Sequence, residues 1–334
     1  MKEKTIDYSF DNGLVIMEGD KTVLRIAKEE LLEKASKMNS AELPKPPASY
    51  LAKWCHGDKT GAVELYLFNK DKPGVPIVMF YPWGEAYAKR IIRGESERLA
   101  RSLDRPIVFV EQSGFGKSSV IPKTVQREIK KSGSFMAMGK LLAKPLAQYL
   151  REELKADEIH ICGCSQGGRV ALAAACYLEG INSTVSIVDP PGMTPHNALS
   201  LLHRFCVKEG LIHSRKYLKH ARRITEHGAM SLISLRDTTS PAYIRQSFFS
   251  FPMAFRKACL TLDIAQAARN AKMICVVALE KSELNAFEDW GRSWEGIKNT
   301  RILSIPKHTH MIINCKPAIR FLITEKLVQL AQMH

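Results

Sequence analysis

The sequence predicts an α/β protein with a doubly wound, mostly parallel sheet and one helical insertion. Seven short apolar runs rich in β-branched residues recur along the chain, and helix-forming stretches lie between them. Because most runs are too uniformly apolar to have one wet face, they indicate central strands covered by helices on both sides. The runs lie at residues 62–68, 76–80, 106–110, 158–162, 184–188, 273–278 and 301–305.

Residues 1–60 precede this alternation and are interpreted as an extension on the edge of the sheet. A strand pair is expected at residues 14–17 and 23–26, followed by a helix at about residues 27–38. The proline-rich stretch at residues 43–47 then interrupts regular structure.

Residues 61–191 and 269–334 are expected to form the core domain. Residues 192–268 read as mainly helical and separate two of its strands, so we expect a helical cap, or lid, over the carboxyl ends of the strands. The cluster at residues 248–253 is expected to form an apolar wall in that cap. Core helices are expected at residues 86–103, 135–154, 166–178 and 317–333.

The chain carries a formal net charge of +15, and the basic residues are densest in the insertion. Residues 203–223 contain seven lysines and arginines against Glu209 as the only acid. Such a segment attracts anions, which include an anionic substrate and an acidic membrane surface. The plainer interpretation is a solvated helix face. No aromatic interleaving or nucleic-acid module accompanies the charge, so nucleic acid is not an expected partner.

The eight cysteines are scattered and form no CxxC pair, which favours reduced thiols over disulfides or a zinc site. The sequence Gly116-Lys117-Ser118 resembles the end of a phosphate-binding loop, but Glu111 stands where that loop requires glycine. We therefore expect no cofactor and no metal. The N-terminal residues lack a signal-peptide pattern and no run is long enough to cross a bilayer, so a cytoplasmic location is expected.

Residues 163–167, Gly-Cys-Ser-Gln-Gly, stand between an apolar strand and a good helix former. A serine between two glycines in a strand-to-helix turn is the pattern of a nucleophile elbow. Residues without a Cβ atom relieve the crowding of so sharp a turn and let the serine adopt strained dihedral angles.

The order of motifs resembles that of the α/β-hydrolase superfamily over roughly residues 60–334. Residues 81–84, Tyr-Pro-Trp-Gly, occupy the place of the family's His-Gly-x-Gly loop. Residues 111–118 are similar to its Asp-x-x-Gly-x-Gly-x-Ser turn, and the serine elbow follows. His310 stands seven residues before Pro317, which is a common spacing in the family.

The resemblance implies a role for each of these residues. Ser165 would be the nucleophile, and it needs a base within hydrogen-bond reach because a hydroxyl is weakly nucleophilic at neutral pH. His310 is the preferred base, with His308 second. The backbone amides of Trp83 and Gln166 would donate to the oxyanion of a tetrahedral intermediate.

The acid of the triad is less well defined by the sequence. After the run that ends at residue 278, the family usually has an aspartate, and that position holds Ser282 with Glu283 beside it. Glu283 is the preferred acid. Asp189, after the strand that follows the elbow, is the main alternative, and Asp289 is a third.

These residues predict a serine hydrolase that cleaves a carboxylic ester or thioester through an acyl-enzyme on Ser165. The expected partner is a small acyl substrate, for which the basic segment suggests an anionic group; the oligomeric state is left open. One alternative is C–C bond hydrolysis or related chemistry of the same fold. Another is a binding protein whose catalytic site has decayed, because residues 81–82, Ser282 and Thr309 depart from the family pattern.

Overall fold

The computed structural model describes residues 6–7, 12–33, 47, 49–88, 90–103, 105–221, 251–292, 297–315 and 317–332. Its centre is a ten-stranded sheet with the order β2-β1-β10-β9-β8-β7-β5-β6-β4-β3. The strands are β1 Leu14–Glu18, β2 Lys21–Ile26, β3 Ser49–His56, β4 Lys59–Phe68, β5 Ile77–Phe80, β6 Ile107–Val110, β7 Glu158–Cys164, β8 Asn182–Val188, β9 Met273–Leu279 and β10 Thr300–Ile305.

The six strands from β6 to β10 in this order run parallel, and the strands at both edges are antiparallel. The predicted fold class, a doubly wound and mostly parallel sheet, is confirmed. All seven predicted strands are present, together with the predicted pair β1 and β2. Strand β3 was not predicted; it is an edge strand that pairs with β4 through the turn at Gly57 and Asp58.

Helices cover both faces of the sheet because alternate strand residues point to opposite sides. Val78 and Phe80 of β5 join one buried cluster, whereas Ile77 and Met79 join another. Residues 28–33 are helical. The further helices are α1 Arg90–Ser102, α2 Lys123–Ser132, α3 Met136–Leu154, α4 Gln166–Ala175, α5 Ala198–Leu202, a π-helix His203–His213, α6 Ser214–Ala221, α7 Phe251–Phe255, α8 Leu260–Ala267, α9 Phe287–Arg292, α10 Met311–Cys315 and α11 Pro317–Gln332.

The segment between β8 and β9 carries α5, the π-helix, α6, α7 and α8. Residues 222–250 lie outside the described part, and so do Phe248 and Phe249 of the expected apolar wall and the expected helix beyond residue 33. None of the described helices is both long and apolar enough to cross a membrane.

The register of the central strands sets the position of the candidate site. Cys164, the last residue of β7, pairs with Val188, the last residue of β8, and Val188 pairs with Val277 of β9. Ser165 and Asp189 therefore leave the sheet side by side at its carboxyl edge, where ligands bind in open α/β sheets.

Candidate active site

Ser165 adopts the strained backbone of a nucleophile elbow, with φ 52° and ψ −127°. A non-glycine residue in such a conformation costs on the order of 1–3 kcal/mol and persists only where its surroundings enforce it. Here the Ser165 N–H donates to the Val188 carbonyl at 2.8 Å, and the Ser165 carbonyl accepts from Gly168 N–H at 3.0 Å. The sheet and the first turn of α4 thus hold the serine in place.

The two glycines of the elbow are required by close backbone contacts. A Cβ atom on Gly163 would overlap the carbonyl group of Gly167. A Cβ atom on Gly167 would lie 2.5 Å from the carbonyl oxygens of Phe80 and Tyr81. The start of α4 therefore packs directly against the loop that follows β5.

The structure brings Ser165 and His310 together across 145 positions of sequence. His310 Nε2 lies 2.9 Å from Ser165 Oγ, and both side chains are buried. His310 Nδ1 lies 2.6 Å from Asp189 Oδ2. Because an ionised carboxylate only accepts hydrogen bonds, Nδ1 carries the proton and Nε2 is left to accept from the serine hydroxyl.

Asp189 is fully buried and well supplied with donors. Besides His310, its carboxylate accepts hydrogen bonds from Ser282 Oγ at 2.7 Å and from Asn285 Nδ2 at 3.3 Å. Its backbone has φ 41°, and its N–H donates to the Val277 carbonyl at 2.7 Å. These contacts fix the carboxylate in its place beside the imidazole.

The preferred placement of Glu283 beside His310 needs correction, because its carboxylate faces the basic side chains of the π-helix. Glu283 lies 3.0 Å from Lys208 Nζ and 3.2 Å from Arg204 Nη1. The hydrogen bond with His213 and the two cations lower the pKa of Glu283 to about 2, against the opposing effect of burial. Glu283 therefore pairs the insertion with the loop after β9, and Asp189 occupies the place at the imidazole.

The remaining alternatives lie elsewhere. His308 is buried against Tyr217, whose hydroxyl is 3.3 Å from His308 Nδ1, and burial lowers the pKa of His308 to about 4. Asp289 accepts a hydrogen bond from Thr194 Oγ1 at 2.5 Å.

Glu209 is a buried carboxylate that the sequence analysis recorded only as an acid in a basic segment. From the π-helix it accepts the backbone N–H groups of Glu283 at 2.8 Å, His310 at 3.3 Å and Met311 at 3.2 Å. Burial raises the pKa of Glu209, while the neighbouring His310 works in the opposite direction. Glu209 thus ties the insertion to the loop that carries the imidazole.

The loop after β5, which contains Trp83, is held by Gln112. Gln112 Nε2 donates to the carbonyl oxygens of Tyr81 at 3.0 Å and Pro82 at 2.5 Å. Gln166 begins α4 directly after Ser165. The contact of Gly167 with the Tyr81 carbonyl places both expected amide donors on backbone segments that touch each other.

Aromatic rings lie over this site. The ring of Phe205, on the π-helix, is 5.1 Å from the Trp83 ring and 6.5 Å from the His310 ring, measured between centroids. Within the described part of the chain, no group of three His, Cys, Asp or Glu side chains is arranged to hold a metal ion.

A strand, a strained serine and a helix at the carboxyl edge of such a sheet define the class of α/β-hydrolase-fold proteins. A family model for the alpha/beta hydrolase fold matches residues 77–205, which contain the loop after β5, the elbow and the start of the insertion. The chain therefore has the α/β-hydrolase fold. A search of curated proteins found no match.

Solved structures share this fold at low sequence identity. A thermophilic esterase from Thermogutta terrifontis matches with a TM-score of 0.55 and 15% identity over 84% of this chain and 98% of that one. N-formylmaleamic acid deformylase from Pseudomonas putida S16 matches with a TM-score of 0.52 and 19% identity, over 83% of this chain and 99% of that one. The 2-hydroxy-6-oxo-6-phenylhexa-2,4-dienoate hydrolase from Rhodococcus sp. strain RHA1 matches with a TM-score of 0.51 and 16% identity, over 83% of this chain and 98% of that one.

Proposed function

We propose that this protein is a serine hydrolase that cleaves carboxylic esters or thioesters through an acyl-enzyme on Ser165. The observation that carries the proposal is the continuous chain of contacts from Ser165 Oγ through His310 to Asp189, at 2.9 and 2.6 Å. A hydroxyl, an imidazole and a buried carboxylate in this order are the parts of a catalytic triad. The strained backbone of Ser165 supports a catalytic role, because such strain concentrates at functional sites.

In the first half-reaction, Ser165 Oγ attacks the carbonyl carbon of the substrate while its proton passes to His310 Nε2. The tetrahedral intermediate then collapses, the bond to the alcohol or thiol breaks, and the imidazolium returns the proton to the leaving group. Asp189 orients the ring and stabilises its positive charge, supported by Ser282 and Asn285.

In the second half-reaction, water takes the place of the leaving group. His310 removes a proton from the water as it attacks the acyl carbon, and the same proton returns to Ser165 Oγ as the acid is released. The amides of Trp83 and Gln166 donate to the oxyanion in both halves, and one such donor is typically worth about 3 kcal/mol.

The aromatic rings of Phe205 and Trp83 favour an apolar acyl group near the nucleophile. Of the three structures reported above, one is named an esterase, one a deformylase and one a dienoate hydrolase. A C–C bond hydrolase would use the same base and nucleophile, so the substrate panel must include a β-diketone. The preserved contact between Ser165 and His310 argues against a decayed site.

Labelling with a fluorophosphonate probe, followed by peptide mapping, tests the nucleophile directly. We expect label on Ser165, loss of label in Ser165→Ala, and unchanged label in the matched control Ser132→Ala, whose hydroxyl is exposed on α2. Hydrolysis of p-nitrophenyl esters and acyl-CoA thioesters, compared with the β-diketone, then separates the bond types. Full ester turnover by Ser165→Ala would contradict the proposal.

A further inference from the structure

The helix that crosses the candidate site presents an apolar stripe to solvent. From residue 198 to residue 217, its exposed residues occur in adjacent pairs whose first members are separated by four, four, five and four positions. This spacing matches the wider turn of a π-helix, so the pairs lie along one face. The pairs are Ala198 and Leu199, Leu202 and His203, Cys206 and Val207, Leu211 and Ile212, and Arg215 and Lys216.

The composition of this stripe is unusual for a solvent-facing surface. Of the eight large hydrophobic side chains that are exposed in the described part of the chain, five belong to the stripe. Leu199 is 80% and Leu202 is 59% exposed. A surface helix normally turns polar residues outward, and a contiguous apolar patch marks a site of interaction.

The opposite face of the same helix packs against the rest of the molecule. It carries Glu209, which binds the loop of His310, and Phe205, which contacts the Trp83 ring. Rotation of the helix to bury the stripe would therefore break the contacts at the candidate site. The stripe faces outward as part of the folded arrangement.

We propose that this stripe docks on the surface of an anionic lipid bilayer. Arg215 and Lys216 are exposed at its end, where cations meet anionic headgroups as the apolar side chains enter the interface. The formal net charge of +15 adds long-range attraction to such a surface. A second copy of the chain is a poorer partner, because it brings the same positive charge to the contact.

Docking in this way places the candidate active site beside the bilayer. Phe205 and Glu209 would lie between the reacting groups and the lipid, about one helix diameter from the interface. The proposal rests on the stripe and its charge, and not on the proposed ester hydrolysis. A failure of vesicle binding would leave fluorophosphonate labelling of Ser165 unaffected.

Flotation of the full chain with lipid vesicles tests the proposal. We expect binding to vesicles of equal parts phosphatidylcholine and phosphatidylglycerol, and much weaker binding to phosphatidylcholine alone. Leu199→Glu with Leu202→Glu should weaken binding by about tenfold per leucine. The matched control Leu262→Glu changes an equally exposed leucine on α8 and should bind like the unmodified chain.

A second pair of variants keeps the test valid if the glutamate variants fold poorly. Arg215→Gln with Lys216→Gln removes two exposed positive charges and should weaken binding to the anionic vesicles by about fivefold per residue. Melting temperatures of all variants check the fold. Equal binding by the Leu199/Leu202 variant, or no binding by the unmodified chain, would overturn the proposal. So would self-association in ultracentrifugation that this variant abolishes without any vesicle binding.

Discussion

Ser282 Oγ donates a hydrogen bond to Asp189 Oδ2, the same carboxylate oxygen that lies 2.6 Å from His310 Nδ1. The residue that stands where the superfamily usually has its acid therefore supports an acid contributed by the neighbouring strand. Because β8 and β9 are adjacent and parallel, the two loops reach the imidazole from the same edge of the sheet. The hydroxyl occupies a position from which a carboxylate would repel Asp189.

Replacing each carboxylate in turn shows which of the two predicted candidates, Asp189 or Glu283, is the acid of the triad. Asp189→Asn should reduce kcat by about 10,000-fold, because an amide no longer holds the imidazole in the productive tautomer. Glu283→Gln should reduce it by less than about tenfold, since that side chain contacts Arg204 and Lys208. Steady-state ester hydrolysis by the two variants measures the difference. An equal loss of kcat in both variants would contradict the assignment of Asp189 as the only acid of the triad.

Removing the side chain of Gln112 should impair the oxyanion donors without touching the nucleophile. In Gln112→Ala, the carbonyls of Tyr81 and Pro82 lose their amide donor, so the Trp83 N–H is less well placed. We expect kcat to fall by about 10- to 100-fold with little change in KM. Steady-state kinetics gives both values, and Gln126→Ala, whose side chain binds the Ile121 carbonyl, is the control. A change in KM alone would contradict this role.

Glu209 is a positioning residue for the base. Glu209→Gln retains the size of the side chain but turns an NH2 group toward backbone N–H groups, which loosens the loop of His310. We expect kcat to fall by about 10- to 100-fold and the pH profile of kcat to shift, because the protonated imidazole loses a neighbouring acid. A purely structural role would lower the melting temperature and leave the pH profile of the remaining activity unchanged.

Glu111 should make the stability of the fold depend on pH. Burial raises the pKa of this carboxyl to about 7, although the N–H groups of Ala88 and Gln112 oppose the rise. A group with a raised pKa stabilises the fold below its unfolded value near 4.5, and that contribution is lost as the pH rises through about 7. The free energy of unfolding should therefore fall by about 3 kcal/mol from this group.

Urea unfolding of Glu111→Gln at several pH values checks this expectation. The amide cannot ionise, so the fall between pH 4.5 and 8 should become shallower by about that amount. The variant also loses one acceptor for a buried N–H, which lowers its stability at every pH by about 1–3 kcal/mol. Glu128→Gln, on the exposed face of α2, should keep the original slope. An unchanged slope in Glu111→Gln would show that the buried carboxyl is already ionised at low pH.

Sequence reasoning predicted the central sheet because buried parallel strands are uniformly apolar and end in recognisable turns. It missed β3 because an edge strand is half exposed: only Ala52 and Trp54 of residues 49–56 are buried, and the proline-rich stretch before it favoured irregular structure. The alternation of these two buried residues and the turn at Gly57 were the available signals.

The elbow could be predicted because its chemistry is local, within five consecutive residues. The choice between Glu283 and Asp189 could not be predicted, because it depends on whether the loop after β9 directs its carboxylate toward the insertion or toward the imidazole. The cations that attract Glu283 come from Arg204 and Lys208, some 75 positions earlier. Glu209 has no local signature for the same reason: its three partners are backbone amides of residues 283, 310 and 311.

Ser165 and Asp189 are held in position by different contacts from those that hold His310. The first two are fixed by backbone hydrogen bonds to Val188 and Val277 in the middle of the sheet. The loop of the third is held largely by side chains of the insertion, since Glu209 accepts the His310 N–H and the Tyr217 hydroxyl accepts the Thr309 N–H. On heating, the enzyme should consequently become inactive several degrees before it melts, and should regain full turnover on cooling from that interval.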